Sequence, residues 1–200
     1  MKLALVILSA AGAQAWVTPQ VSMRASTSLN AAGIYFATST GNTETISEYL
    51  AEATGLEAVE VGDLTPEVCA EADALIVGAP TWNTGADEQR SGTDWDDWLE
   101  DTLPNCDVTG KKVAIFGCGD QESYMDYYCD AAGELYDKFT AAGATVYGMT
   151  STEGYNHESS KAEVDGKFVG LLCDEDNQSD ESEGRVTAWI AQLKEEGFPI

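Results

Sequence analysis

The chain has 200 residues, enough for one domain with a full hydrophobic core and too few for two. Its 35 Asp and Glu stand against 10 Lys and Arg, a formal net charge of −25. A body this acidic is repelled by nucleic acid and by anionic membrane surfaces, so neither is expected as a partner, and it is drawn to basic proteins. The same charge also serves solubility. Five cysteines, irregularly spaced and without a CxxC pair, speak against a disulfide framework or a zinc site and for a reducing compartment.

The charge is unevenly placed. No Asp or Glu precedes Glu44, and residues 1–32 carry only Lys2 and Arg24, which leaves residues 33–200 with a formal −27. Met1-Lys2 opens the chain, residues 3–8 are an unbroken apolar run, and Ala13-Gln14-Ala15 has the form that signal peptidases accept. The run is shorter than the roughly 20 residues that span a bilayer, so a cleaved signal is expected and membrane insertion is not. Behind it, residues 16–32 contain Ser22, Ser26, Thr27 and Ser28, one Arg and no acid, which is transit-peptide composition. The two together, joined at Ala15-Trp16-Val17-Thr18-Pro19, resemble the bipartite presequences of algae whose plastids lie inside extra membranes. Residues 1–32 are therefore read as a presequence and 33–200 as the mature domain, working in the plastid (chloroplast) stroma; plain secretion is the alternative, and the unpaired cysteines argue against it.

From Gly33 onward short apolar runs alternate with amphipathic stretches. Residues 33–37 read as a buried strand, and residues 43–54 as a helix with Ile46, Tyr49, Leu50 and Ala53 on one face. Strands are expected at 56–61, at 74–78 (stopping at Pro80), at 113–117, at 145–147 and at 168–172. Helices are expected from Asp94, over 126–142 with Gly143 ending it, and over 183–196 with Val186, Trp189, Ile190 and Leu193 in register. Residues 174–183 read as an acidic loop. Such alternation implies a parallel sheet covered on both faces, and ligands bind such sheets at the carboxyl ends of their strands.

Three segments lie at those ends. Thr38-Ser39-Thr40-Gly41-Asn42-Thr43 offers hydroxyls and backbone N–H groups at a helix start, a setting for a phosphate; it has no Lys or Arg and no G-K-[ST], which disfavours a nucleoside triphosphate. A simple helix cap would use the same residues. Pro80-Thr81-Trp82-Asn83-Thr84-Gly85 places an indole face at a strand end, where it either meets a planar ring or covers the sheet. Gly117-Cys118-Gly119-Asp120-Gln121-Glu122-Ser123-Tyr124 permits close backbone approach, with Asp120 able to accept from a ring N–H and Tyr124 as a second aromatic face. A phosphate nest, a polar edge and two stacking faces on one rim describe flavin mononucleotide (FMN). The lone His157 is expected to be solvent-exposed, with no metal role.

These three segments resemble the FMN loops of flavodoxins, and the likeness runs over the whole body. The stretch 151–167 and the run from Asp174 to Asp180 resemble the long-chain subgroup, whose last strand is split by an insertion. The resemblance implies an α/β fold with a doubly wound five-stranded parallel sheet. It implies that Thr38, Ser39, Thr40, Asn42 and Thr43, with the Gly41 backbone, hold the phosphate. It implies that Trp82 and Tyr124 sandwich the isoalloxazine, and that Asn83 and Thr84, framed by Pro80, Thr81 and Gly85, flank the peptide facing N5. Gly119 and Asp120 would bind the pyrimidine edge, and Asp176 would reach the ribityl chain. Cys118 stands where many relatives have Thr or Gly, and residues 86–93 lengthen the Trp82 loop. The implied role is a low-potential one-electron carrier, not an enzyme, monomeric, between photosystem I and ferredoxin–NADP⁺ reductase as a ferredoxin substitute. The rivals are a flavodoxin-fold NAD(P)H-dependent quinone reductase, which needs a basic group for its dinucleotide, and a non-redox nucleotide-binding domain.

Overall fold

A computed structural model describes residues 32–200. The targeting segment read in residues 1–32 lies, but for its last residue, outside the described residues. In chain order the elements are β1 (Gly33–Phe36), α1 (Asn42–Thr54), β2 (Ala58–Glu60), α2 (Pro66–Glu71), β3 (Ala74–Pro80), α3 (Asp94–Asp97), β4 (Lys112–Cys118), α4 (Asp130–Ala141), β5 (Thr145–Tyr147), β6 (Thr150–Ser151), β7 (Glu163–Val164), β8 (Lys167–Phe168), β9 (Leu171–Cys173) and α5 (Ser179–Glu195). The main sheet runs β2-β1-β3-β4-β5, all parallel. β5 pairs with Lys112, Val113 and Ala114 of β4, whereas β9 pairs with Phe116, Gly117 and Cys118 of the same strand. The last strand is thus two segments along one edge of β4, with residues 148–170 inserted between them.

Alternation of side chains along each strand divides the core in two. Ile34, Phe36, Ile76, Ala114, Phe116 and Leu171 face α1 and α5, where they meet Ile46, Leu50, Val186, Trp189 and Ile190. Tyr35, Leu75, Val77, Val113, Ile115 and Leu172 face the other way, toward Trp95, Trp98, Leu135 and Phe139. β3 is buried along its whole length, as a central parallel strand must be. Each buried indole finds an acceptor: Trp95 Nε1 donates to the Gly78 carbonyl, Trp98 Nε1 to that of Leu64 and Trp189 Nε1 to that of Gly148, each at 2.7 Å. Gly78 also lets β3 lie against the Phe116 ring, which would stand 2.1 Å from any Cβ there.

Four sequence expectations are revised. The helix read over 126–142 starts at Asp130, because Cys129 takes a left-handed backbone (φ 53°) and residues 125–127 form a separate short turn. Helix α2, with Thr65 capping the Val68 N–H and Pro66 in its first turn, was not foreseen; its six residues are too few to show a period. The apolar run 168–172 is not one strand. Phe168 pairs antiparallel with Thr150 and Glu163 in a small sheet of the insertion, while Leu171 returns to β4. The closing helix starts at Ser179, inside the segment read as an acidic loop.

The insertion packs back on the domain. Gly133 of α4 meets the backbone of Lys161 and Ala162 so closely that a Cβ would lie 2.4 Å from the Lys161 carbonyl. His157, expected at the surface, has a side chain only 7% exposed; it packs on Tyr128 and Phe168, and its Nε2 lies 3.0 Å from Glu163 Oε2. All five cysteines are free thiols.

Candidate functional site

The carboxyl ends of β1, β3 and β4 open into one cleft of about 380 Å³, within the range of small-ligand pockets. Of the residues named from sequence, Thr38, Thr40, Asn42, Thr43, Pro80, Thr81, Trp82, Thr84, Cys118, Gly119, Asp120, Tyr124 and Asp176 line it. Ser39, Gly41, Asn83 and Gly85 do not line it and instead frame its loops. Ser39 is exposed beside Thr38, and Gly41 is the left-handed N-cap of α1 (φ 98°). Asn83 turns its amide away, donating to the Gln89 carbonyl at 2.6 Å. Gly85 lies against the Tyr127 ring.

The first loop is built around an absence of competing partners. Gly41 N–H donates to Thr38 Oγ1 at 3.0 Å, which closes the loop. The first intrahelical bond of α1 is from Thr45 N–H to the Gly41 carbonyl, so the earlier N–H groups of the helix, at the edge of the cleft, have no intrahelical acceptors. The Thr43 hydroxyl is buried and has no hydrogen-bond partner. An orphaned hydroxyl beside free helix N–H groups, with no Lys or Arg lining the cleft, fits a small anionic group held by neutral donors. Below it, Cys118 forms part of the floor. Burial, and then the neighbouring Cys173, push its thiol well above its ordinary value, so it stays a neutral wall of the cleft.

The large hydrophobic side chains exposed among the described residues are all at this rim: Trp82 at 49%, Tyr124 at 51% and Tyr127 at 41%. Trp82 and Tyr124 both border the cleft, on the second and third loops. Exposing such rings costs hydrophobic free energy in any state without a ligand between them. Tyr127 was missed by sequence reasoning, which placed it inside a helix.

Two carboxylates hold the third loop, one part-exposed and one buried. Asp120 Oδ1 accepts from the Glu122 and Ser123 N–H groups at 2.9 and 2.8 Å and from Asn177 Nδ2 at 2.9 Å. Burial pushes the Asp120 carboxyl up, but the bonds from Ser123, Asn177 and Glu122 outweigh it and hold the group below its ordinary value. That oxygen therefore shapes its own loop, and a ring N–H has only the other oxygen to reach. Asp174, fully buried, accepts from Gln121 N–H at 3.0 Å through Oδ2 and from Asn177 N–H at 3.0 Å through Oδ1. It ties the third loop to the turn that carries Asp176, whose Oδ2 takes a bond from Asn42 Nδ2 at 3.3 Å. From sequence Asp174 carries only a likeness to the long-chain subgroup; its role depends on a partner 53 positions away. Thr81 likewise has a second duty, its hydroxyl accepting the Ala131 N–H at 3.0 Å near the start of α4.

A doubly wound sheet whose strand ends open into a cleft free of Lys and Arg and bordered by two half-exposed aromatic rings defines an α/β protein suited to a planar ligand. Comparisons with known proteins agree. The family model "Flavodoxin" matches residues 34–189. The chain is 45% identical over 166 residues to a flavodoxin of Picosynechococcus sp., covering 81% of this chain and 95% of that one. It is 42% identical over 168 residues to flavodoxin 1 of Escherichia coli, covering 82% and 93%. Among solved structures it is similar to the Fusobacterium nucleatum flavodoxin bound to flavin mononucleotide, with a TM-score of 0.73 and 31% identity over 82% of this chain and 97% of that one. The chain belongs to the flavodoxin family, electron-transfer proteins rather than enzymes.

Proposed function

We propose that this chain holds one FMN in the cleft and carries single electrons between larger redox proteins. The observation that carries the reading is the orphaned Thr43 hydroxyl at the N-terminus of α1, facing a cleft bordered by two half-exposed aromatic rings. Thr38, Thr40, Asn42 and Thr43 hold the phosphate through neutral donors, on a loop shaped by Ser39 and Gly41. Trp82 and Tyr124 cover the ring system, Gly119 and Asp120 meet its polar edge, and Asp176 orders the sugar-alcohol chain beside Asn42. FMN supplies the redox chemistry when bound; the protein supplies orientation and an acidic, partly dry surround that opposes added negative charge. A quinone reductase is disfavoured because no basic side chain lines the cleft to receive a dinucleotide. The expected result is tight binding of FMN and much weaker binding of riboflavin, measured by quenching of flavin fluorescence. Equal affinities would remove the phosphate nest from the assignment.

The partners we propose are photosystem I as donor and ferredoxin–NADP⁺ reductase as acceptor, met through the carboxylates around the cleft: Asp87, Glu88, Asp94, Asp96, Asp120, Glu122 and Asp126. Asp96 and Asp120 are the exceptions in that group, since Asp96 is already engaged by Ser91 and Gly92 and Asp120 by Glu122, Ser123 and Asn177. Steering between opposite charges raises association rates by roughly 10- to 1000-fold and is screened over about 8–10 Å at ordinary salt. The second-order rate with the reductase is therefore expected to fall as salt rises, by stopped-flow absorbance. A bell-shaped profile fits as well, because over-strong attraction traps unproductive orientations; a rate indifferent to salt returns the acidic surface to solubility alone.

The long-chain form of the domain, a monomeric state and a plastid location complete the proposal. The split last strand supports the first. The acid-free composition of residues 1–32 supports the last, together with a family match that begins at residue 34. A fluorescent protein fused behind residues 1–32 is expected in the plastid of an alga with extra plastid membranes, and its appearance in the medium would reject the two-step address.

A further inference from the structure

The loop that carries Trp82 is gripped from below by a single carboxylate. Glu134 lies on the first turns of α4 and is only 5% exposed. Its Oε1 accepts the Gln89 N–H at 2.9 Å and its Oε2 accepts the Arg90 N–H at 2.8 Å. The carbonyls of the same two residues then hold the outgoing arm of the loop. The Arg90 carbonyl accepts from both the Trp82 and Asn83 N–H groups at 3.1 Å, and the Gln89 carbonyl accepts from Asn83 Nδ2 at 2.6 Å. Gln89 is bent into a left-handed backbone (φ 58°), which a residue with a side chain adopts only when its surroundings hold it there.

We propose that Glu134 is a positioning residue for the flavin site, setting the Trp82 indole and the peptide that follows it through the Gln89-Arg90 backbone. The inference rests on the reading that Trp82 covers FMN. Two N–H donors converging on one carboxylate make charge-assisted bonds, stronger than bonds between neutral groups. They lie one peptide away from the arm that bears the indole. Gln89 Nε2 also reaches the exposed Glu100 Oε1 at 3.3 Å and Arg90 Nε the Ala86 carbonyl at 3.0 Å, but neither takes the Gln89 or Arg90 N–H. Asp96 clamps Ser91 and Gly92 at the far end of the loop, and the Lys138–Glu88 pair, 3.8 Å apart and exposed, is a weak outer tether. Glu134 therefore couples α4, which packs on β3 and β4, to a cleft residue that it does not touch.

Two measurements decide it. Hydrogen exchange on the unaltered apoprotein is expected to show the amides of Trp82, Asn83, Gln89 and Arg90 protected as a group relative to Asp87 and Glu88 of the same loop. In Glu134→Gln one acceptor becomes a donor facing an N–H, so the four amides are expected to lose protection together. The FMN dissociation constant is expected to rise about tenfold, as for one lost bond to a charged group. Asp137→Asn, which removes an exposed carboxylate from the same helix, is expected to leave both unchanged. Unprotected amides in the unaltered chain overturn the proposal even if the variant does not fold. So does a folded Glu134→Gln with parental exchange and affinity, or an equal effect from Asp137→Asn. If the unaltered protein fails to bind FMN, the functional reading falls instead, and the exchange data still decide whether the clamp exists.

Discussion

Trp82→Ala and Tyr124→Ala are each expected to weaken FMN binding by about 5- to 150-fold, the range that corresponds to 1–3 kcal/mol for a flat base on an aromatic face. Each is also expected to make the second one-electron reduction less difficult. The face of an aromatic ring is electron-rich, so a ring stacked on the flavin opposes the charge that the last electron brings. Because both rings stand half exposed, their removal costs the fold little, and the loss of affinity is not masked by unfolding. Flavin fluorescence gives the affinity and a reductive titration followed by absorbance gives the potentials. If both variants bind and titrate like the parent, the aromatic assignment is wrong.

Asp174→Ala is expected to act in the opposite proportion, on the fold first and the ligand second. The change removes the acceptor for Gln121 N–H, which is buried, and for the Asp176 and Asn177 N–H groups of the adjoining turn. An unsatisfied buried donor costs about 1–3 kcal/mol, and with three backbone N–H groups and the Asn177 side-chain amide affected a loss of about 2–4 kcal/mol is expected in urea unfolding of the apoprotein. The third loop and the Asp176 turn then lose their common anchor, so FMN affinity falls as well. Asp174→Asn keeps the shape and one oxygen but sets an NH₂ against N–H donors, so it is expected to recover part of the stability and not all of it. A variant as stable as the parent would show that water replaces the carboxylate at no cost.

The first loop could be placed on the rim from sequence because everything that places it lies within about a dozen residues: an apolar strand, a Thr/Ser/Gly segment and a helix start. A parallel strand buried on both faces and an amphipathic helix are local patterns, and a ligand at their junction follows from backbone geometry. Trp82 and Tyr124 were legible for the same reason, as aromatic residues just past apolar strands. The split of the last strand came from resemblance, since the run 168–172 looks continuous and only the pairing of Leu171 with Phe116 separates it from Phe168.

What the chain alone determined is the alternation of elements, the two-faced core and the rim on which the cleft sits, because these rest on periods of hydrophobicity that each segment carries by itself. What the tertiary structure decided is how that rim is held. Glu134 meets the Trp82 loop across 44 and 45 positions, Asp174 meets the third loop across 53, and His157 is buried only because Tyr128 and Phe168 close over it. A carboxylate on a helix or in an acidic run reads as a solvated charge until the backbone donors that converge on it are known. Those donors become available only when distant loops fold against it.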